Sequence, residues 1–127
     1  MALLMYLLDT NILIDLLKSK PEAISLTTRV PKGKASISVI SVHELYRGAR
    51  EKEIPALQQL ISKFDILELA AATSKLSGEL AKQFQPSHGI DALDCMIAAT
   101  AVVHDLQLIT LNLKHFRPIF PKLERPY

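Results

Sequence analysis

The stretch LLDTNILID, residues 7–15, joins two apolar patterns of different spacing through a short polar segment. The apolar run from Leu3 to Leu8 has the length of a strand that is buried on both faces. After residue 11, apolar side chains return at the spacing of an amphipathic helix, at Ile12, Leu13, Leu16 and Leu17. Asp9 therefore lies where a buried strand turns into a helix. Ligands bind at this end of the strands in open parallel sheets, although an aspartate there can also simply cap the helix.

The rest of the chain continues this alternation of strand-like and helix-like segments. Apolar or β-branched runs bounded by turn residues predict further strands at residues 35–40, 65–69 and 106–110. Helical spacing predicts helices at residues 22–30, 41–51, 54–63, 71–85 and 91–104. Ser41 and Glu44 match a capping box, and Pro86 is expected to end the helix before it. We therefore expect an α/β fold, a three-layer sandwich around a parallel sheet of about four to five strands.

Composition restricts the class of protein. A length of 127 residues, 49% of them apolar, predicts a single globular domain over residues 1–127. The single cysteine, Cys95, excludes an internal disulfide framework and indicates a reducing compartment. No Lys or Arg precedes the first apolar run, and no later run is long enough for a membrane span, so we expect a cytoplasmic protein without a membrane partner. The formal net charge of +2 neither requires nor excludes a polyanionic partner.

Polar side chains interrupt the apolar pattern at or just after the strand ends, or in the opening turns of the following helices. These are Asp9, Glu44, Asp94 and Asn112. Because the carboxyl ends of parallel strands meet at one edge of the sheet, we expect these side chains to lie close together. Carboxylates brought together raise one another's pKa unless a cation lies between them. The alternative is a separate helix-end role for each, with Glu44 in the capping box and Asp94 complementing its helix dipole.

A cation at this edge would be a hard one. The four histidines, His43, His88, His104 and His115, are scattered, and no Cys or His spacing suits zinc. Oxygen ligands favour Mg²⁺ or Mn²⁺. Such an ion can orient a water for attack on phosphorus, which predicts phosphodiester hydrolysis.

Asp91 and Asp94 lie three residues apart at the start of the same predicted helix. Asp91 follows Gly89 and Ile90, which places it at the N-cap, where its side chain can accept the backbone N–H of Asp94. The Asp94 carboxylate then remains free. We therefore assign metal binding to Asp94 and capping, with a supporting electrostatic role, to Asp91.

Four segments in order, LLDTNILID, ISVISVHELYRGA, DCMIAATA and LITLNLKHF, resemble the sequence blocks of PIN-domain ribonucleases, most of all the VapC-type toxins of toxin–antitoxin pairs. The resemblance runs from about residue 4 to about residue 120. It implies a Mg²⁺- or Mn²⁺-dependent endoribonuclease, usually a homodimer, that a cognate antitoxin holds inactive. It implies catalytic, metal-binding acids at Asp9, Glu44 and Asp94, with Thr10, Asn11 and Thr110 supporting the site.

The last segment departs from that family pattern. Many members place a fourth acid at or shortly after the position of Asn112, whereas this chain has Asn112 and then His115. The amide of Asn112 offers an oxygen or can hold a water, but brings no charge. The number of metal ions is therefore left open.

Basic residues near the predicted site are candidates for contacts with RNA phosphates. Without the three site acids, the formal charge of +2 becomes +5, which suits a polyanionic substrate. The candidates for RNA binding are Arg47, Arg50 and Lys114. Further candidates near the predicted edge or in the adjoining turns are Lys32, Lys34 and Arg117. Any one of them can instead be part of an ordinary solvated surface.

Two other functions stay open at this stage. A receiver-like signalling domain would place acids at the same edge and accept a phosphoryl group, but LITLN lacks the lysine expected near its last strand. A PIN fold that binds RNA or a partner without cleaving is the second alternative. An apolar stripe, Leu57, Leu60, Ile61 and Phe64, serves either the core or a contact with a second copy or an antitoxin.

Overall fold

The computed structural model describes residues 4–127, and its centre is a parallel sheet. The strands are β1 (Tyr6–Leu8), β2 (Ala35–Ser38), β3 (Asp65–Leu67) and β4 (Gln107–Ile109). They lie in the order β3-β2-β1-β4, and each neighbouring pair is parallel. Tyr6 lies opposite Ala35 on one side and Gln107 on the other. The predicted sheet is confirmed with four strands in this part of the chain, whereas Leu3 of the predicted first strand lies outside the described residues.

Helices connect the strands and cover the sheet. They are α1 (Thr10–Leu17), α2 (Pro21–Arg29), α3 (Val39–Gly48), α4 (Ile54–Ile61), α5 (Ala71–His88), α6 (Ala92–Val103) and α7 (Leu113–Phe116), with a 3₁₀ turn at Glu51–Glu53. None of the helices formed by residues 4–127 combines the length and apolar character needed to cross a bilayer.

Two adjacent residues of β1 show why the fold has three layers. Successive side chains of a strand point to opposite faces of the sheet. Leu7 belongs to a buried cluster with Leu108 and the apolar residues of α6, whereas Leu8 belongs to a second cluster with Ile37 and residues of α1, α3 and α4. Each face of the sheet therefore carries its own layer of helices, which confirms the predicted three-layer sandwich.

The apolar stripe of the fourth helix is used inside the protein. Leu57 and Ile61 are buried in the cluster that contains Leu8, and Leu60 and Phe64 pack against the same cluster. Of the two uses left open for this stripe, the structure shows the core.

The start of α3 differs from the prediction. The helix begins at Val39, and Ser38 is its N-cap, with the Ser38 hydroxyl accepting the N–H of Ile40 at 3.0 Å. The predicted capping box of Ser41 and Glu44 is therefore wrong, because a serine three residues earlier performs the same role. Ser41 and Glu44 lie inside the helix, and their side chains are free to contact other elements.

The end of α5 also differs. Pro86 lies inside the helix, which continues to His88 and ends at Gly89, whose φ is +67°. A proline removes one backbone donor near the helix end. The left-handed conformation of glycine is what terminates the helix.

Candidate active site

Four elements bring polar side chains to the carboxyl edge of the sheet. Asp9 directly follows β1, and its N–H donates to the carbonyl of Ile109 in β4 at 2.9 Å. Thr110 directly follows β4, and α3 starts where β2 ends. Asp9 and Thr110 are buried, with 4% and 0% of their surface exposed. Asp9, Thr110 and the start of α3 therefore lie together at the edge of the sheet where the sequence predicts the site.

Asp9 uses its two carboxylate oxygens differently. Oδ1 accepts the N–H of Thr10 at 2.8 Å and so caps α1. Oδ2 accepts the hydroxyl of Thr110 at 2.6 Å and the amide of Asn11 at 3.3 Å. The sequence presents helix capping and a place in the site as alternatives for Asp9. In the structure, Asp9 caps α1 with one carboxylate oxygen and faces the other polar residues of this edge with the second.

Thr10 connects Asp9 to Glu44. Its hydroxyl donates to Oε1 of Glu44 at 2.7 Å and lies 2.9 Å from the hydroxyl of Ser41. Because a threonine hydroxyl has one proton, and that proton goes to Glu44, the hydroxyl of Ser41 must be the donor in the second bond. The fully buried Ser41 is a site residue that sequence reasoning assigned to a capping box. Ser41 lies three residues before Glu44, and this spacing places both side chains on the same face of a helix. That spacing could have indicated that Ser41 belongs to the site.

Asn11 and Thr110 tie the loop after β4 to the start of α1. The Asn11 side chain accepts the N–H of Leu111 at 3.1 Å and donates to the Thr110 hydroxyl at 3.3 Å. The same hydroxyl accepts the N–H of Asn112 at 2.9 Å. These residues, predicted to support the site, hold the two segments next to the Asp9 carboxylate.

Asp94 and Asp91 lie at the start of α6. Oδ1 of Asp91 accepts the N–H of Asp94 at 2.8 Å, which confirms Asp91 as the N-cap. Oδ2 of Asp94 lies 3.3 Å from Nδ1 of His115 in α7, and Nδ1 lies 3.0 Å from the amide nitrogen of Asn112. The family pattern points to the segment that contains His115, but its contact with Asp94 was not predictable from local spacing, because the packing of α7 against α6 brings the two residues together.

Comparison with known proteins identifies this arrangement. The family model described as the PIN domain matches residues 6–119. The chain belongs to the PIN domain family. Over 126 residues it is 37% identical to Ribonuclease VapC19 of Mycobacterium tuberculosis, which covers 97% of this chain and 100% of that protein.

Further relatives agree with this assignment. The chain is 31% identical to the tRNA(fMet)-specific endonuclease VapC of Shigella flexneri, over 92% of this chain and 93% of that protein. A chain of a toxin–antitoxin complex from Klebsiella pneumoniae superposes with a TM-score of 0.83 at 32% identity, covering 96% of this chain and 98% of that chain. The resemblance to PIN-domain ribonucleases of the VapC type is confirmed.

Two acids of this PIN domain, Asp9 and Asp94, have a raised pKa. Burial, and then the charges of Glu44 and Asp91, raise the pKa of Asp9 against the hydrogen bonds that lower it. Burial, and then the charges of Asp91 and Asp9, raise the pKa of Asp94 to about 6, although the hydrogen bond from His115 lowers it. Among the ion pairs within residues 4–127, only that of His115 with Asp94 involves one of these acids. The site therefore concentrates negative charge without a Lys or Arg partner in the described chain.

The donor set fits a hard divalent cation. Asp9, Glu44 and Asp94 offer only carboxylate oxygens, which Mg²⁺ and Mn²⁺ prefer. In residues 4–127, no three acidic, histidine or cysteine side chains are grouped tightly enough to coordinate one ion together. Mg²⁺ keeps several of its waters and is bound by one or two carboxylates. Its coordination therefore does not require a group of three.

The candidate RNA-binding residues are exposed, but their surroundings differ. Arg47 lies on α3 one turn after Glu44, and Lys114 lies on α7 next to His115. Arg50 lies beyond the end of α3, where its Nε donates to Glu53 at 3.2 Å. Arg47 and Lys114 are therefore the better placed of the three for phosphate contacts.

Lys32 and Lys34 do not belong to this edge. They lie in the turn before β2, at the amino ends of the strands. Lys32 there lines a pocket of about 440 Å³ together with Leu16, Ile24 and Phe64. The prediction that these two lysines adjoin the site is wrong, because a turn that enters a parallel strand lies at the opposite edge from one that leaves it.

Proposed function

We propose that this PIN domain, extending over the single domain of residues 1–127, is an endoribonuclease that acts as the toxin of a toxin–antitoxin system and depends on Mg²⁺ or Mn²⁺. One observation carries the proposal. Hydrogen bonds from Thr10, Asn11 and Thr110 organise Asp9 and Glu44 at the sheet edge near Asp94, and no Lys or Arg of residues 4–127 forms an ion pair with these acids. Relatives that bear the names of ribonucleases support RNA as the substrate class.

The residues of the chain have distinct roles in this proposal. Asp9 and Asp94 would hold the ion, and Glu44 would contact it through a water. When bound, the ion supplies charge stabilisation at phosphorus and lowers the pKa of a bound water. Thr110 and Thr10 orient the carboxylates of Asp9 and Glu44 by donating to them. Arg47 and Lys114, with a smaller contribution from the paired Arg50, would contact RNA phosphates.

We also propose a cognate antitoxin as partner, a homodimer as the assembly and the cytoplasm as the location. The toxin–antitoxin complex that shares this fold supports the first. Exposed apolar side chains at Leu4, Met5, Val102 and Val103 support self-association. Sedimentation velocity of the purified chain should report a dimer at micromolar concentration. A monomer at every accessible concentration contradicts that assembly.

Cleavage of RNA by the purified chain tests the proposed activity. The wild type should cut structured RNA when Mn²⁺ or Mg²⁺ is added and should stop when EDTA is added. Asp9→Asn should keep the fold, because asparagine caps a helix about as well as aspartate, and should lose cleavage. Asp65→Asn, at the exposed first residue of β3, is the matched control and should cleave as the wild type does.

The outcomes separate the alternatives. Cleavage that persists in EDTA contradicts the metal dependence. RNA binding without cleavage, under every metal condition, indicates a non-cleaving PIN module. Incorporation of phosphate from a small phosphodonor, without RNA cleavage, indicates a receiver-like phosphoacceptor.

A further inference from the structure

We propose that His115 is a positioning residue whose Nδ1–H donates to Oδ2 of Asp94 and fixes the orientation of that carboxylate toward the ion. This inference rests on the proposed function, since it gives Asp94 a metal-binding role. It assigns a task in the site to a histidine on α7.

The surroundings of Nδ1 determine which hydrogen bonds are possible. Nδ1 lies 3.3 Å from Oδ2 of Asp94 and 3.0 Å from the side-chain amide of Asn112. If the Asn112 amide nitrogen donated to Nδ1, the ring nitrogen would present a lone pair to the Asp94 carboxylate, and the two would repel. If the Asn112 amide is instead rotated by 180°, its oxygen, not its nitrogen, faces Nδ1. A proton on Nδ1 then has two acceptors, the amide oxygen of Asn112 and Oδ2 of Asp94. The Nδ1–H tautomer satisfies both neighbours.

The three acids of the proposed metal site share one pattern of support. The Asp9 carboxylate accepts from the hydroxyl of Thr110, and the Glu44 carboxylate accepts from the hydroxyl of Thr10. Within residues 4–127, the Asp94 carboxylate has His115 as its side-chain hydrogen-bond partner. Each acid is therefore oriented by a donor from another part of the chain, and His115 completes the set.

Burial makes this contact effective. The side chain of Asp94 is 15% exposed and that of His115 is 35% exposed, so water competes weakly at the carboxylate. Side chains that orient a metal ligand typically change metal affinity by about 10- to 100-fold when they are removed. Loss of the donor at His115 should therefore be measurable as a loss of ion binding.

Mn²⁺ titration calorimetry on the full chain tests the role. His115→Ala should weaken Mn²⁺ binding by about 10- to 100-fold. His115→Asn should recover most of the loss, because its amide nitrogen can occupy the place of Nδ1 and donate. His104→Ala is the matched control, since His104 is an exposed histidine at the other end of α6, and its Mn²⁺ affinity should equal that of the wild type.

A structural loss must be separated from a positioning loss. Thermal unfolding in EDTA should show all variants folded at the titration temperature. If His115→Ala is unfolded there, His115→Leu, which fills the space of the ring without a donor, takes its place. Unchanged Mn²⁺ affinity of the donor-free variant overturns the inference. It is also overturned if His115→Asn binds as weakly as that variant, because the ring itself then matters.

A second measurement needs no metal. Nitrogen-15 NMR of the imidazole in the metal-free chain should show His115 protonated at Nδ1. A neutral ring protonated only at Nε2 overturns the inference, whatever the chain does with metal. A wild type that has the Nδ1–H tautomer and yet binds no Mn²⁺ would instead contradict the proposed metal-dependent function.

Discussion

A single aspartate can both end a strand and serve a site because its carboxylate has two oxygens. Oδ1 of Asp9 caps α1, and Oδ2 receives Thr110 and Asn11. The sequence predicted Asp9, Glu44 and Asp94 as acids at this edge because each lies directly after a strand or in the opening turns of a helix. It did not identify Ser41, whose position fits a common capping pattern equally well. A residue that matches a local signature is misassigned when a neighbour, here Ser38, already satisfies that signature.

Asp91 and Asp94 allow a residue-level test of the same distinction. Asp91→Asn should leave stability nearly unchanged and cleavage substantial, because asparagine is an equally good N-cap. Asp91→Ala should lower the free energy of unfolding by about 1 kcal/mol through the lost cap. Asp94→Asn should abolish metal-dependent cleavage. Thermal unfolding and Mn²⁺-dependent cleavage should be measured on all three variants. An inactive Asp91→Asn beside an active Asp94→Asn would reverse the assignment.

At the scale of elements, the centres of the strands and helices were predictable, and several ends were not. Apolar runs and helical spacing placed all four strands of the described chain and the helices between them. The end of α5 was misplaced because Pro86 looks like a stop signal. In the structure, the backbone conformation of Gly89 decides where the helix ends. The position of this helix end depends on the direction that the chain must take from α5 into α6. The sequence around Pro86 alone does not indicate that direction.

Gly89 gives the element-level prediction. Its φ of +67° is unfavourable for a residue with a Cβ, although an added Cβ would meet no atom within 4 Å. Gly89→Ala should therefore lower the free energy of unfolding by about 1 kcal/mol, and Gly89→Asn by less. Gly78→Ala is the matched control, because Gly78 lies inside α5 with open space around it and should gain up to about 1 kcal/mol. Chemical denaturation measures both. Equal effects of the two alanines would contradict the role of the left-handed conformation.

At the scale of the whole molecule, the site depends on contacts between distant parts of the chain. Thr10 contacts Ser41 and Glu44, which are 31 and 34 residues away, and Asn11 contacts Thr110 across 99 residues. Parallel topology implies that these segments share an edge, so the set of acids was predictable. Which hydroxyl donates to which acid, and the place of His115, depend on packing in three dimensions.

The same assembly of acids should weaken the metal-free fold near neutral pH. The Asp94 carboxyl has an ordinary pKa of 3.8, which we take for the unfolded chain, and a pKa of about 6 in the folded one. Between these values the folded chain binds more protons than the unfolded chain. The free energy of unfolding therefore falls as pH rises through this interval. The pKa of Asp9, which is also raised, acts in the same direction.

Asp94→Asn removes this contribution together with the repulsion between the Asp94 charge and the charges of Asp9 and Asp91, and both changes act in the same direction. In EDTA above pH 6 the variant should be more stable than the wild type, and this advantage should shrink as pH falls toward 3.8. Adding Mn²⁺ at neutral pH should raise the melting temperature of the wild type through binding to the folded state, and should raise that of Asp94→Asn much less. Thermal unfolding across this range, with and without Mn²⁺, provides the measurement. A raised pKa of Asp94 requires the wild type to be less stable than Asp94→Asn in EDTA at neutral pH. A wild type that is more stable than the variant under these conditions would show that the carboxylates do not destabilise the metal-free site.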